Sequence, residues 1–291
     1  MAKRKNFSET EIKDICDLYL NKIPRSHIAK KYECTDKVIV RVLEQANIEI
    51  KKLNSVALTK NRKFNINDNY FNIDKQSHNS AYILGMLASD GCVASSQNQI
   101  YIELHRHDRE LLEKINAELK NDRPVKDYTN HSKNYENSKI YFFSKQIKQD
   151  LALYNIIPNK THHNLDFLQN IDKQYQLDFI RGMFDGDGCV KWSNGSIAWQ
   201  IDSTSFITLQ HIQKILEEQK IKTTVCKKDD LSVVNLPVYR IYCYGFEKCY
   251  SIYKLFYGNK NNIHMLRKFM LFKNLLLKYK THETPNLLNE D

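Results

Sequence analysis

A repeat restricts this fold more than any other feature of the chain. Ala81–Val93 reads AYILGMLASDGCV, Asp178–Val190 reads DFIRGMFDGDGCV, and seven of the thirteen positions are identical. The shared residues include Gly85/Gly182, Asp90/Asp187, Gly91/Gly188 and Cys92/Cys189, at a constant offset of 97 residues. The offset reads on without a gap through apolar pairs: Ile100 with Ile197, Leu104 with Ile201, Leu112 with Leu209, Ile115 with Ile212 and Leu119 with Leu216. It then shifts slightly, so that Lys139-Ile-Tyr141 faces Arg240-Ile-Tyr242. Chance similarity does not hold register for so long, so the region from about 78 to 280 is read as two copies of one unit.

Periodicity outlines each copy. A short apolar helix runs up to the Asp-Gly, with Gly91 or Gly188 expected as its C-cap. β-like runs follow at Gln99–Leu104 and Ser196–Ile201, the second preceded by a hairpin turn at Ser193-Asn194-Gly195. Apolar residues then recur at helical spacing over Asp108–Lys120 and Ser205–Gln219. Strand pairs are expected around Pro124–Phe143 and Lys222–Tyr244, and closing helices at Ser144–Asn155 and Phe246–Tyr257. The order αββαββα in both copies makes the class α+β.

Ahead of the repeats, residues 1–50 read as a small all-α domain of three helices. Ser8 and Glu11 form a capping box, Ser26–Lys31 makes a short second helix, and a turn at Glu33-Cys34 leads to Thr35 as N-cap of Asp36–Gln45. The pattern suits a helix-turn-helix or any other three-helix bundle. Residues 51–77 read as a linker, 78–165 and 166–280 as the two units, and 281–291 as a loose tail.

Composition narrows the function classes. With 42% hydrophobic residues the chain can build cores, which argues against wholesale disorder. No apolar run approaches the ~20 residues of a membrane span, and MAKRKNF lacks the apolar stretch of a secretory signal. Seven cysteines without a C-x-x-C pair indicate neither a disulfide framework nor a zinc ribbon. An intracellular, reduced setting is expected, cytoplasmic or nucleoid-associated. Lys and Arg number 44 against 34 Asp and Glu, a net charge of +10 that points to a polyanion.

The repeat also carries the chemistry. A glycine inside a helix costs ~1 kcal/mol against alanine, so Gly85 and Gly182 call for close approach of two helix backbones. If the copies pack about a pseudo-twofold axis between those helices, Asp90 and Asp187 meet. Neighbouring carboxylates repel unless a divalent cation lies between them, and hard oxygen ligands suit Mg²⁺ or Mn²⁺. A lone Asp-Gly would be a simple helix-ending turn; a duplicated one at the unfavourable end of the helix dipole asks for more. The pairs His105/His107 and His162/His163 lack the cysteines of a zinc site, and Cys92 and Cys189 read as small packing groups.

Ile83-Leu-Gly-Met-Leu-Ala-Ser-Asp-Gly91 and Ile180-Arg-Gly-Met-Phe-Asp-Gly-Asp-Gly188 resemble the LAGLIDADG motifs of homing endonucleases. The approach from Tyr70-Phe-Asn-Ile-Asp74 resembles the phage- and intron-encoded members, and the similarity covers about residues 68–280. The resemblance implies a single-chain, pseudo-symmetric form whose two sheets make a saddle on DNA. It implies cleavage of double-stranded DNA at a long asymmetric site across the minor groove, by a monomer using Mg²⁺ with Mn²⁺ as substitute. Carried over position by position, Asp90 and Asp187 are the metal-binding acids, and Ser89 and Gly186 offer main-chain carbonyls to the metal. The sixth motif position is Asp185 in the second copy but Ala88 in the first, a departure after which the two half-sites need not be equivalent. Lys160 and Lys268 are candidate catalytic lysines, each able to polarise water or stabilise the phosphorane, or to make an ordinary phosphate contact. Tyr101, Lys126, Lys139, Lys191, Gln200 and Arg240 are candidate DNA contacts, strand alternation leaving open which face each occupies.

Helix-turn-helix modules accompany this family, which favours that reading of the first domain and would place Thr35, Asp36, Lys37 and Arg41 in a major groove. Lys3, Arg4 and Lys5 are either a backbone-following arm or a solvated tail. Two alternatives to an endonuclease stay open: a DNA-binding regulator that does not cut, and an intron maturase that binds RNA. Intein splicing is not expected, since the ends, Met1 and Leu288-Asn-Glu-Asp291, lack the junction Cys/Ser and His-Asn.

Overall fold

The computed structural model describes residues 7–21, 23, 25–48, 63–130, 135–231, 236–258 and 263–283. Lys3, Arg4 and Lys5, residues 51–62 of the expected 51–77 linker and residues 284–291 of the expected 281–291 tail lie outside the described residues; 64–77 instead belong to the larger unit, with Phe71 buried in its core, and 281–283 end its last helix. The chain separates into two compact units, Met1–Lys63 and Phe64–Asp291.

The smaller unit is helical: α1 (Glu9–Leu20), α2 (Arg25–Lys31) and α3 (Asp36–Gln45). Ser8 Oγ accepts the Glu11 N–H at 3.3 Å while the Ser8 N–H donates to the Glu11 carboxylate at 2.8 Å, the reciprocal box its spacing predicts. Ile15, Ile28, Ile39, Val42 and Leu43 form its core. Glu33 makes the turn between α2 and α3 with φ +48°. Thr35 stands at the N-cap of α3 in extended conformation, but its side chain makes no capping bond.

The larger unit contains the repeats. The first runs α4 (His78–Ser89), β1 (Gly91–Val93), β2 (Gln99–His105), α5 (Arg109–Glu118), β3 (Lys126–Asn130), β4 (Tyr135–Phe143) and α6 (Lys145–Leu153). The second runs α7 (Gln176–Asp187), β5 (Gly188–Ser193), β6 (Ser196–Ser203), α8 (Phe206–Glu218), β7 (Thr224–Leu231), β8 (Pro237–Tyr244) and α9 (Phe246–Tyr257). Each repeat builds one antiparallel four-stranded sheet, ordered β1-β2-β4-β3 and β5-β6-β8-β7. This is the αββαββα pattern, α+β in class. Helices cover one face of each sheet, where Ile100, Ile102, Leu104, Ile140 and Phe142, and likewise Ile197, Trp199, Ile201 and Ile241, are buried.

The helices α4 and α7 join the repeats at their glycines. A Cβ on Gly85 would lie 2.1 Å from the Phe179 carbonyl oxygen, and one on Gly182 would lie 2.1 Å from that of Tyr82. Only glycine permits so close a crossing.

Three expectations need correction. First, the offset of 97 does not run on unbroken. Strand pairing makes Ile102 the partner of Gly91 and Ile201 the partner of Gly188, an offset of 99. The β1–β2 connection is a loop over Ala94–Asn98, whereas β5 and β6 continue to a tight turn at Asn194 (φ +50°) and Gly195 (φ +74°). Hydrophobicity does not reveal the slip, because alternate strand residues are apolar in both copies and a shift of two preserves the pattern. Second, the C-cap expectation holds for Gly188 but not for Gly91, since Asp90 caps the first helix. Gly188 is extended (φ −78°, ψ 162°) and begins a strand, and α4 ends on Asp90. Both glycines are needed for space: a Cβ would strike Leu87 Cα at 2.5 Å or the Phe184 oxygen at 2.5 Å. Third, the segment carrying Lys268 is a further helix, α10 (Leu266–Glu283), with Phe272 and Leu276 buried. Its frequent lysines hid that apolar face.

Candidate active site

The crossing of α4 and α7 sets the position of the two acids. Asp90 caps α4 and Asp187 is the last residue of α7, so both carboxylates stand at neighbouring helix C-termini. Ser89 and Gly186, equivalent in the repeat, face each other: a Cβ on Gly186 would lie 2.0 Å from Ser89 Oγ and 2.9 Å from Asp90 Oδ2. The serine fills the space that the glycine vacates. Each acid opens into a recess built from both repeats. That of Asp90 has a volume of about 700 Å³ and includes Gly186 and Arg267. The recess beside Asp187 is about 220 Å³ and includes Ser89 and Lys160.

Burial raises the proton affinity of both acids. The Asp90 carboxyl is pushed up to about 7, first by desolvation and then by the charge of Asp187, with Lys268 and Lys160 opposing. Asp187 is likewise raised by desolvation, opposed by Lys160 and then Lys268. Asp187 keeps an accessible surface but lies deep among protein atoms, as on the floor of a depression.

The two lysines singled out from the sequence arrive at these helix ends. Lys160 Nζ donates to the Gly91 carbonyl at 2.5 Å and lies 3.4 Å from that of Ser89. Lys268 Nζ donates to the carbonyls of Phe184 (2.7 Å), Gly186 (2.8 Å) and Gly188 (2.7 Å). Each ammonium satisfies orphan carbonyls of its own repeat's helix and opposes the negative end of its dipole. It also acts as a strong counter-charge to the other repeat's aspartate. Burial lowers the proton affinity of both lysines, while the nearby acids pull it back up. The carbonyls of Ser89 and Gly186, expected to face a metal, therefore accept from lysines here. Among the described residues no group of three or more His, Cys, Asp or Glu is placed to hold a metal ion. Asp90 and Asp187 supply two carboxylates between them.

Sequence reasoning missed the outer ring of charge. Arg267 pairs with buried Asp108 at 2.9 Å on the Asp90 side. On the Asp187 side, Arg240 binds Asp202 through two nitrogens (2.6 and 2.8 Å) and Lys228 adds a third contact at 3.0 Å. These partners hold the Asp202 carboxyl below the ordinary range despite its burial. The signal was one of register: Asp202 stands directly across from Arg240 in adjacent strands, visible only once the offset of 99 is known. Asp185 is fully buried and accepts from Tyr82 Oη (2.8 Å), Tyr257 Oη (2.8 Å) and the Met265 N–H (2.7 Å). It ties α7 to α4, to α9 and to the turn that leads into α10.

The sheet register answers which face the strand candidates occupy. Tyr101 pairs with Tyr141, Lys139 with both Glu103 and Lys126, Gln200 with Tyr242, Arg240 with Asp202 and Lys191 with Ala198. All six candidates thus lie on the sheet faces opposite the helices. Their availability differs. Lys126 and Lys191 are exposed, whereas Gln200 is 9% exposed. Lys139 Nζ lies 3.3 Å from the Tyr101 ring centroid and 3.8 Å from Glu103. In the helical unit Thr35, Asp36 and Lys37 are exposed and Arg41 is half-buried; Asp36 lies 3.6 Å from Arg25. Among the described residues no helix is long and apolar enough to cross a membrane.

The NrdEB subunit alpha of a ribonucleoside-diphosphate reductase from Bacillus subtilis (strain 168) is 25% identical over 170 residues, 54% of this chain and 16% of that protein. The chain therefore matches only a small part of that relative's length. A variant of the homing endonuclease I-DmoI, solved with its target DNA in the presence of magnesium, is 14% identical and covers 66% of this chain and 99% of its own, with a TM-score of 0.43. Full-length DUF199/WhiA from Thermatoga maritima is 16% identical over 76% of this chain and 69% of its own, with a TM-score of 0.45. The model of the LAGLIDADG-like domain matches residues 77–149 and 174–261, more than half of the chain. The chain belongs to the LAGLIDADG family.

Proposed function

We propose that this LAGLIDADG protein is a site-specific endonuclease for double-stranded DNA, acting as a monomer with Mg²⁺, for which Mn²⁺ can substitute. One observation carries the reading: two aspartates from equivalent positions of the repeat stand at the ends of crossing helices, and burial among protein atoms raises the proton affinity of both. Asp90 and Asp187 would hold the metal, with waters and DNA oxygens completing its shell. The Ser89 and Gly186 carbonyls stay with Lys160 and Lys268. A bound divalent ion supplies an activated water and a Lewis acid for the leaving oxygen.

The chain's own groups do the rest. Lys160 and Lys268 keep positive charge at the helix ends, which restrains the acids' repulsion and favours an anionic transition state. Exposed Lys126 and Lys191 contact phosphates, and the outward sheet faces lie along the grooves. The helical unit is a helix-turn-helix that sets Thr35, Asp36, Lys37 and Arg41 against a major groove.

A DNA-binding regulator that does not cut is the second reading. It is favoured by the two carbonyls already engaged by lysines. Incubation of a randomised duplex library with the purified protein in Mg²⁺ or Ca²⁺, beside Asp187→Asn, separates the two. Cuts at one recurring long site in Mg²⁺, absent from the variant, are expected of the endonuclease. Salt-sensitive binding without cuts in Mg²⁺ or Mn²⁺ would establish the regulator.

A further inference from the structure

We infer that Lys148 is a positioning residue that moulds the β1–β2 loop into a DNA-reading element present in one half of the molecule only. This rests on the DNA-binding reading above. Lys148, in α6, extends its ammonium into the loop and donates to the carbonyls of Ala94 (2.5 Å), Gln97 (2.8 Å) and Ser95 (3.2 Å). An ammonium has three protons, and here three carbonyls of one short loop receive them. The ends of the loop are tied as well: the Ser144 N–H donates to the Asn98 carbonyl at 2.9 Å, and the Ala94 N–H to that of Gln99 at 2.9 Å. A polar stretch without regular structure is thus given one shape, and its side chains Ser95, Ser96, Gln97 and Asn98 are all exposed.

The second repeat has no such device. The position equivalent to Lys148 is Cys249, whose thiol meets the Ile197 carbonyl at 3.5 Å, and the connection is the tight Asn194-Gly195 turn. The clamped loop is therefore an addition to the shared scaffold, not part of what folds it. It prolongs the outward face beyond Phe143, which is 41% exposed. Amides such as Gln97 and Asn98 match the paired donor and acceptor of adenine in a major groove. Holding them still before binding removes ordering entropy that a free loop would lose on contact.

The geometry also says where on DNA the effect falls. β1 starts directly after Asp90, and the loop is four to eight residues beyond it in sequence. At ~3.3 Å per strand residue the loop lies roughly 15 Å from the acid, about four to five base-pair steps of ~3.4 Å.

The test is a binding selection from a randomised duplex library in Ca²⁺, read position by position, for the wild type, Lys148→Met and Gln97→Ala/Asn98→Ala. Wild type should enrich one long motif. Both variants should lose about 10-fold discrimination, equivalent to ~1.4 kcal/mol, at base pairs four to five steps from the centre on one side, with the other half unchanged. The double variant leaves the lysine cradle intact, so it tests the loop as a reading element even if Lys148→Met folds poorly, and loss in the double variant without loss in a folded Lys148→Met overturns the positioning role of Lys148. A motif identical in all three proteins overturns the inference alone, as does a loss spread evenly over both halves. Failure of the wild type to enrich any duplex would overturn the DNA-binding reading and the inference together.

Discussion

The helices α4 and α7 end in the same Asp-Gly-Cys-Val but are held in place by different chemistry. On α4 the positions Ala81, Leu84 and Ala88 are apolar and buried. Their equivalents on α7 are Asp178, Arg181 and Asp185, each no more than 6% exposed. Arg181 lies 2.9 Å from Asp178, donates to the Phe256 carbonyl at 2.8 Å and sits 5.0 Å from the Tyr82 ring centroid. Asp178 reaches across to His78 of α4 at 2.6 Å. Burying polar groups is costly unless they are partnered, and the partners come from α4, α9 and Met265 just before α10, while Arg181 Nε is left without a hydrogen bond among the described residues. The second repeat thus depends on α10, for which the first has no counterpart. The shared aspartates take equivalent places in both repeats, while the support beneath them is apolar in one and polar in the other.

Substitutions at the crossing should have the largest effect and test how far the two halves are alike. Gly85→Val and Gly182→Val each force side-chain atoms onto a carbonyl of the other helix, so each should cost ~4 kcal/mol or more, read as a fall in the urea midpoint. Gly195→Ala, strained only by its positive φ, should cost ~1 kcal/mol. Near-equal losses at 85 and 182 would mark the crossing as symmetric despite the flanking differences.

Asp185 provides the opposite contrast. Asp185→Ala strands two tyrosine hydroxyls and the Met265 N–H, with an expected loss of ~3 kcal/mol. Because Met265 leads into α10, hydrogen exchange should also rise along α10. Leu84→Ala, at an apolar position of α4, should cost a similar ~3 kcal/mol with no such local loosening. Loosening of α10 in both variants would remove the distinction between polar and apolar support.

Proton linkage separates the acids from their surroundings. Folding raises Asp90 from 3.8 to about 7, so the native state retains a proton that the unfolded chain has released. Without metal, stability should therefore fall as pH rises from about 4 to about 7 and then level off. Asp90→Asn should flatten that fall in thermal midpoint, and so should Asp187→Asn, which removes the neighbouring charge. An unchanged slope in both variants would mean that the pair is not the source. The smallest effect is expected from the sheet faces. Lys126→Ala and Lys191→Ala should each reduce the slope of log K against log salt by about 0.9, one phosphate contact apiece. A change at only one of them would show that DNA engages the two sheets unequally.

Much of this architecture was legible in the chain. Seven shared residues in thirteen require two related modules, glycines at 85 and 182 require a close helix crossing, and the alternation of QIYIEL and SIAWQI requires half-covered strands. What stayed hidden lay beyond local pattern. Strand alternation repeats every two residues, so the slip from 97 to 99 left no trace in hydrophobicity. The pairing of Asp202 with Arg240 waited on that register, and the face on which Lys126 and Lys191 stand waited on the sheets. Lys160, Lys268 and Lys148 look alike in sequence. The difference lies in the carbonyls each meets, two at one helix end, three at another and three in a loop. The sequence by itself determined the elements of the two repeats, the duplication and the identity of the paired aspartates, because these follow from local sterics and periodic burial. Only the tertiary structure decided the pairing of the acids, the lysines' carbonyl partners and the inequality of the two halves, because electrostatic and hydrogen-bond energies depend on distances that residues far apart in the chain acquire only when packed.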